Sequence, residues 1–155
     1  MPAILVVNLV TSLLLTGLIW TIQLVHYPLF AAVGEAGFGD YVRRHGSRIS
    51  VLVVPLMTVE LAAAVWLVVA LGRPGACPGL CDWVTGWAAW LGLALVGVIW
   101  LVTAAVFAPV HGRLARGRSG RDLELLVSAN WVRTVAWTAR SALLVRALSR
   151  GGVGR

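Results

Sequence analysis

Apolar residues run almost unbroken through four stretches of the chain, about 3–30, 49–72, 83–110 and 122–148. Each reaches the roughly 20 residues with which an α-helix crosses about 30 Å of hydrocarbon. The first and third stretches carry no charge and the second carries only Glu60. The fourth differs: Asn130, Arg133, Trp137 and Arg140 recur at three- and four-residue steps and so share one stripe of a helix. The pattern predicts an all-α protein, a four-transmembrane-helix bundle that forms a single integral membrane domain.

The connectors differ in kind. Residues 31–47 contain glycines, Phe38, Tyr41, Asp40, Arg43 and Arg44, and read either as a short helix lying at the membrane interface or as a solvated loop. Residues 73–82 are rich in proline and glycine, which deny helix continuation on both sides and make the second and third spans an antiparallel hairpin. Ser119 followed by Asp122 fits a helix-start cap for the last helix. The first span is too long for a signal-peptide core and lacks a basic leader, so it is expected to remain in place.

Composition closes off other classes. With 59% apolar and only 12% charged residues among 155, a soluble fold is excluded. The net charge of +7 comes from arginines beside apolar spans rather than from a basic stripe interleaved with aromatics, so nucleic acid is not an expected partner. Those arginines set orientation instead. Arg43, Arg44, Arg48, Arg113, Arg116, Arg118 and Arg121 fall on the side of the two longer connectors, against Arg73, Arg146, Arg150 and Arg155 on the side of the termini. The positive-inside rule then predicts an inner (plasma) membrane protein with both termini outside the cytoplasm. Cys77 and Cys81 would face an oxidising compartment, where a small disulfide is open to them, but CxxxC is not the spacing of redox-active pairs. Trp83, Trp87 and Trp90 read as an interfacial belt. Ala88 and Gly92 would permit close helix contact, within one chain or between copies in a homo-oligomer.

The chemistry must come from the few polar residues within the spans, because an ionised side chain in hydrocarbon costs at least about 2.5–3.5 kcal/mol. With the cytoplasmic face set level with residues 30, 47, 110 and 122, all three histidines, His26, His45 and His111, converge at one end of the bundle. Gln23, Thr103 and Asn130 form a layer about 10–12 Å down, and Glu60 and Arg133 lie about 16–20 Å down, close enough in height to pair. Converging imidazoles point to a metal site, with iron or copper as candidates, or to haem held by paired axial histidines; they also fit plain interfacial residues. Glu60 with Arg133 reads as a structural ion pair, as a charge pair that positions a lipophilic ligand, or as a masked proton relay. Pro28, Pro55 and Pro109 either bend their helices and open a cavity or mark helix ends.

Several groups of residues carry a resemblance: Gln23-Leu24-Val25-His26-Tyr27-Pro28-Leu29-Phe30, the connector with Phe38, Tyr41 and His45, Pro55 with Glu60, Pro109 with His111, and Asn130-Trp131-Val132-Arg133-Thr134. Together they resemble a family of small, uncharacterised bacterial four-helix membrane proteins, a likeness that supplies no activity. The Asn-Trp-x-Arg-Thr segment is also similar to the closing motif of anthrone-oxygenase-like membrane proteins. That likeness implies oxidation of a hydrophobic small molecule at the membrane, with Asn130 and Arg133 in or near the site.

The leading expectation is therefore a membrane-embedded oxidoreductase that takes a lipophilic small molecule from the lipid. His26, His45 and His111 would hold a metal, Arg133 would anchor a substrate oxygen with Asn130 nearby, and Glu60 would orient Arg133. Gln23, Tyr27, Thr103 and Trp137 would line the substrate pocket, which is expected to be polar and to open to the cytoplasm. The alternatives are a small proton-coupled transporter or ligand-binding membrane protein using Glu60, and a structural partner subunit.

Overall fold

The computed structural model describes residues 3–73 and 84–152, so Cys77, Cys81 and Trp83 lie outside the described residues. Four helices follow in order: α1 (Ala3–Phe30), α2 (Glu35–Leu71), α3 (Gly86–Leu114) and α4 (Gly120–Gly152). They stand in a square, with α1 and α3 each packed against both α2 and α4. The expected all-α bundle is present, and α1, α2 and α3 are long and apolar enough to cross a membrane. The fourth helix does not meet that measure, because its polar residues are numerous but turned inward. Asn130, Arg133, Thr134, Arg140 and Ser141 are buried, whereas Trp131, Val132, Val135 and Val145 face outward. An apolar exterior over a polar interior is the pattern of a helix bathed in lipid.

The connector at 31–47 is neither a separate interfacial helix nor a loop. From Glu35 onward it is the first part of α2, which runs 37 residues to Leu71. Phe38 and Val42 pack with Tyr27, Phe30, Phe107, Val110, Leu114 and Leu126 in an aromatic and aliphatic core at this end. Phe38 meets Phe30 edge-on at 6.4 Å, and a Cβ at Gly39 would lie 2.8 Å from the Ala115 carbonyl oxygen, so glycine lets α2 touch the α3–α4 turn. That turn is fixed by Arg113, bonded to Asp122 at 2.7 Å, and by the Ser119 hydroxyl, which accepts the Asp122 amide at 3.3 Å and so caps α4 as expected.

Each of Pro28 and Pro109 sits just after a single π-helical turn, Ile22–His26 in α1 and Thr103–Phe107 in α3. Pro28 marks the last turn of α1, which ends at Phe30, whereas α3 continues past Pro109 to Leu114. A proline ring clashes with the carbonyl four residues back, and one wider turn relieves that crowding.

Nearer the other end, small polar residues join α1 to α4: Ser12 to Ser141 at 3.1 Å and Thr16 to Ser141 at 2.8 Å. At the same level Gly92 of α3 faces the guanidinium of Arg140, and an added Cβ would lie 2.9 Å from its Nη1. The Ala88–Gly92 step is thus used inside the bundle, against α4. Gly92→Leu should lower stability by about 1–3 kcal/mol through overpacking. Gly97→Leu, on the same helix with open space around it, should be nearly silent. Thermal unfolding of the two variants in detergent checks the contrast.

Candidate functional site

Two polar centres occupy different levels of the bundle. The deeper one contains Glu60, whose carboxylate accepts from Arg140 Nε at 2.9 Å and from Trp137 Nε1 at 3.0 Å. Arg140 also donates to Asn8 Oδ1, and the Asn8 amide nitrogen donates to the Ala63 carbonyl at 3.1 Å. Hydrogen bonds from α1, α2 and α4 therefore meet at one buried ion pair, backed by Gly92 of α3, in which Arg140 and Glu60 side chains are 3% and 1% exposed. The expected pairing of Glu60 with Arg133 is not formed.

The reason is the level of α2: the rim of the bundle is at Phe38, which packs in the core at that end, and not at residue 47. Starting from Phe38 moves Glu60 about 13 Å further in, beyond Arg133 and within side-chain reach of Arg140. The same correction draws His45 inward from the rim, to a height near that of His26.

The second centre surrounds a cavity of about 340 Å³ between α2 and α3. Its walls include Tyr27 of α1, His45, Ile49, Val53 and Met57 of α2, Trp100, Thr103, Phe107 and His111 of α3, and Arg133 of α4. Exposed Ser50, Val54 and Ala108 form its edge, so it opens sideways through the apolar flank of the bundle rather than along its axis. The lining stretches flank Pro55 and Pro109. Two cavities at the opposite end measure about 20 Å³ each, room for little more than a water.

The three histidines do converge here. His26 Nε2 and His45 Nδ1 lie 2.7 Å apart in a mutual hydrogen bond, and the His45 and His111 rings stack with centroids 6.0 Å apart. His111 Nδ1 donates to the Phe107 carbonyl at 2.8 Å, an arrangement that fixes the tautomer and presents Nε2 as an acceptor. His45 also borders a second, more open cavity of about 350 Å³ lined by His26, Tyr41, Arg44 and Arg48. It forms the wall between the two spaces. Among the described residues no group of three His, Cys, Asp or Glu side chains is arranged to hold a metal ion, so the expected three-histidine ligand set is a hydrogen-bonded pair with a stacked third ring instead.

Arg133 is the most unusual group at the site. Only 5% exposed, it has no ion-pair partner among the described residues, and its Nε has no hydrogen-bond partner. Its guanidinium carbon lies 4.3 Å from the Phe107 ring centroid and 5.2 Å from that of Trp137. Desolvated cation–π contact supplies about 2 kcal/mol, whereas removing a cation from water costs several. The rings therefore leave Arg133 under-compensated, and no Asp or Glu lines the cavity to make up the difference.

The remaining expected residues divide between wall and support. Tyr27 and Thr103 line the cavity, although the Thr103 hydroxyl is committed to the Ile99 carbonyl at 2.7 Å. Gln23 and Asn130 do not line it. Asn130 donates to Gln23 Oε1 at 2.7 Å, Gln23 donates to the Val127 carbonyl at 3.3 Å, and Asn130 Oδ1 is buried without a partner. Trp137 joins the two centres, donating to Glu60 while its ring flanks Arg133. Sequence reasoning missed Asn8, an amide within an apolar span, and the role of Arg140, seven residues beyond Arg133 on the same stripe. Comparison with known protein families, curated proteins and solved structures finds no match to this chain.

Proposed function

We propose that this protein is a membrane-embedded enzyme of the oxidoreductase class that acts on a lipophilic small molecule drawn sideways from the bilayer. The observation that carries this reading is the laterally open cavity of about 340 Å³ with two imidazoles and a guanidinium on otherwise apolar walls. An apolar pocket with a few convergent polar groups is the usual form of a small-molecule site. Arg133 anchors an oxygen of the substrate, and His111 Nε2 takes a proton from the adjacent O–H or C–H. Loss of that proton leaves electron density on the oxygen next to Arg133, where a fixed cation stabilises it. Molecular oxygen is the oxidant, in keeping with the likeness to anthrone-oxygenase-like proteins: it adds to the electron-rich carbon of that anion, the proton returns from His111 to give a hydroperoxide, and loss of water with cleavage of the O–O bond leaves a C=O where the CH2 stood. The end bearing the histidines faces the cytoplasm in this reading, following the arginine asymmetry.

Glu60 has no part in this chemistry, since both of its oxygens are held by Arg140 and Trp137. That geometry disfavours the proton-coupled transporter, whose carboxylate must be released in each cycle.

The test is oxygen consumption by purified protein in nanodiscs supplied with a polycyclic phenol. Wild type should turn over, His111→Ala should lose ~100-fold or more in rate, and Val53→Trp, which fills the cavity, should abolish turnover. Binding without turnover would reduce the protein to a ligand carrier. Elemental analysis showing stoichiometric iron or copper, or a haem absorption band, would restore the metal-dependent version.

A further inference from the structure

Because Arg133 is buried, unpaired among the described residues and placed on the wall of a cavity that contains no acidic side chain, we infer that the bound ligand is a monoanion: an apolar body ending in an acidic oxygen, held as its conjugate base. This rests on the reading of the cavity as a lipophilic site and adds the charge of what fills it. Among the described residues the titratable groups on the cavity wall are Tyr27, His45, His111 and Arg133, and none of them is an acid that competes for the guanidinium. Phe107 and Trp137 flank the cation without offering an acceptor oxygen, and Nε in particular has no partner. A carboxylate or phenolate oxygen supplies what the rings do not, through charge-assisted N–H···O bonds. Neutral lipophiles with the same body fill the same apolar walls but leave the guanidinium uncompensated. An acid that arrives protonated gives its proton to His111 Nε2, which passes it on to water.

Alkyl carboxylates and aromatic phenols share this chemistry, and two matched probe pairs separate them. The full chain in phosphatidylcholine nanodiscs is titrated at neutral pH with cis-parinaric acid and methyl parinarate, and with 1-pyrenol and 1-methoxypyrene. The expected result is a preference of ~10-fold or more for at least one acid over its neutral partner, as for a charge-assisted hydrogen bond in a dry site. Bound pyrenol should then show the absorption of its anion. Arg133→Gln should erase the preference, and the anion band with it, while leaving the neutral probes bound; Arg133→Lys should keep part of it. Selectivity for the alkyl acid alone, the phenol alone or both supports the inference and identifies the body. Equal binding of acid and neutral partner, or a preference unchanged in Arg133→Gln, overturns it while leaving the lipophilic site intact. No binding of any probe, with Val53→Trp behaving as wild type, removes the site itself.

Discussion

Arg140→Met should destabilise the protein by about 3–5 kcal/mol, because it strands the Glu60 carboxylate at the centre of the bundle without its cation. The double variant Glu60→Leu with Arg140→Met should recover part of that loss. Two apolar side chains of similar bulk can replace a buried ion pair with little net change, whereas breaking one partner leaves an uncompensated charge. Recovery should be incomplete: Asn8 loses its donor from Arg140, and the Trp137 indole N–H loses its acceptor. Buried groups left unsatisfied cost about 1–3 kcal/mol each. Equilibrium unfolding of the two single variants and the double in one detergent gives the coupling between the residues. Independent, additive effects would show that this contact does not hold the bundle together.

Arg133→Met should do the opposite. No ion pair is broken, since Arg133 has none among the described residues, and a flexible apolar side chain against Phe107 and Trp137 suits its surroundings. Stability should be unchanged or higher by about 1–4 kcal/mol, the range seen when buried charges are replaced by apolar groups. Turnover and acid-selective binding should be lost. Retention of charge at a destabilising position is the signature of a group kept for function rather than for folding. A large loss of stability in Arg133→Met would instead make this arginine a structural element. The two arginines, seven residues apart on one face of α4, thus make opposite predictions from the same substitution.

The fold was legible in the sequence because hydrocarbon imposes a length and a composition that few other environments demand. Four helices, the cap at Ser119 and the inward stripe of α4 follow from the residues alone. The continuity of α2 did not, since Gly37, Gly39 and Gly46 weaken the local helix signal, and only packing of Phe38 and Val42 against α1 and α3 overrides it. That one misplacement had a consequence for the chemistry. It paired Glu60 with Arg133, when the helix register brings Glu60 to Arg140. Convergence of the histidines survived the shift because all three are anchored near the same aromatic core, where Phe30 packs edge-on against both His26 and His45. The mutual bonding of two of them was not readable, because hydrogen-bond partners depend on ring direction and not on height along the bundle. Nor was the lateral opening of the cavity, which arises from the spacing between α2 and α3.

Photolabelling bears most directly on the central claim. A palmitic acid carrying a mid-chain diazirine and a pyrenol carrying one, each incorporated into nanodiscs with the full chain and irradiated, should between them leave adducts concentrated on the cavity-facing segments 46–57 and 100–108. Excess of the unlabelled parent acid should chase those adducts, and Arg133→Gln should thin them to the level left by the neutral ester or ether of the same probe. Adducts spread evenly over the outward faces, at Val10, Leu14, Val135 and Val145 as much as at Val53 or Thr103, would contradict a binding site between the second and third helices.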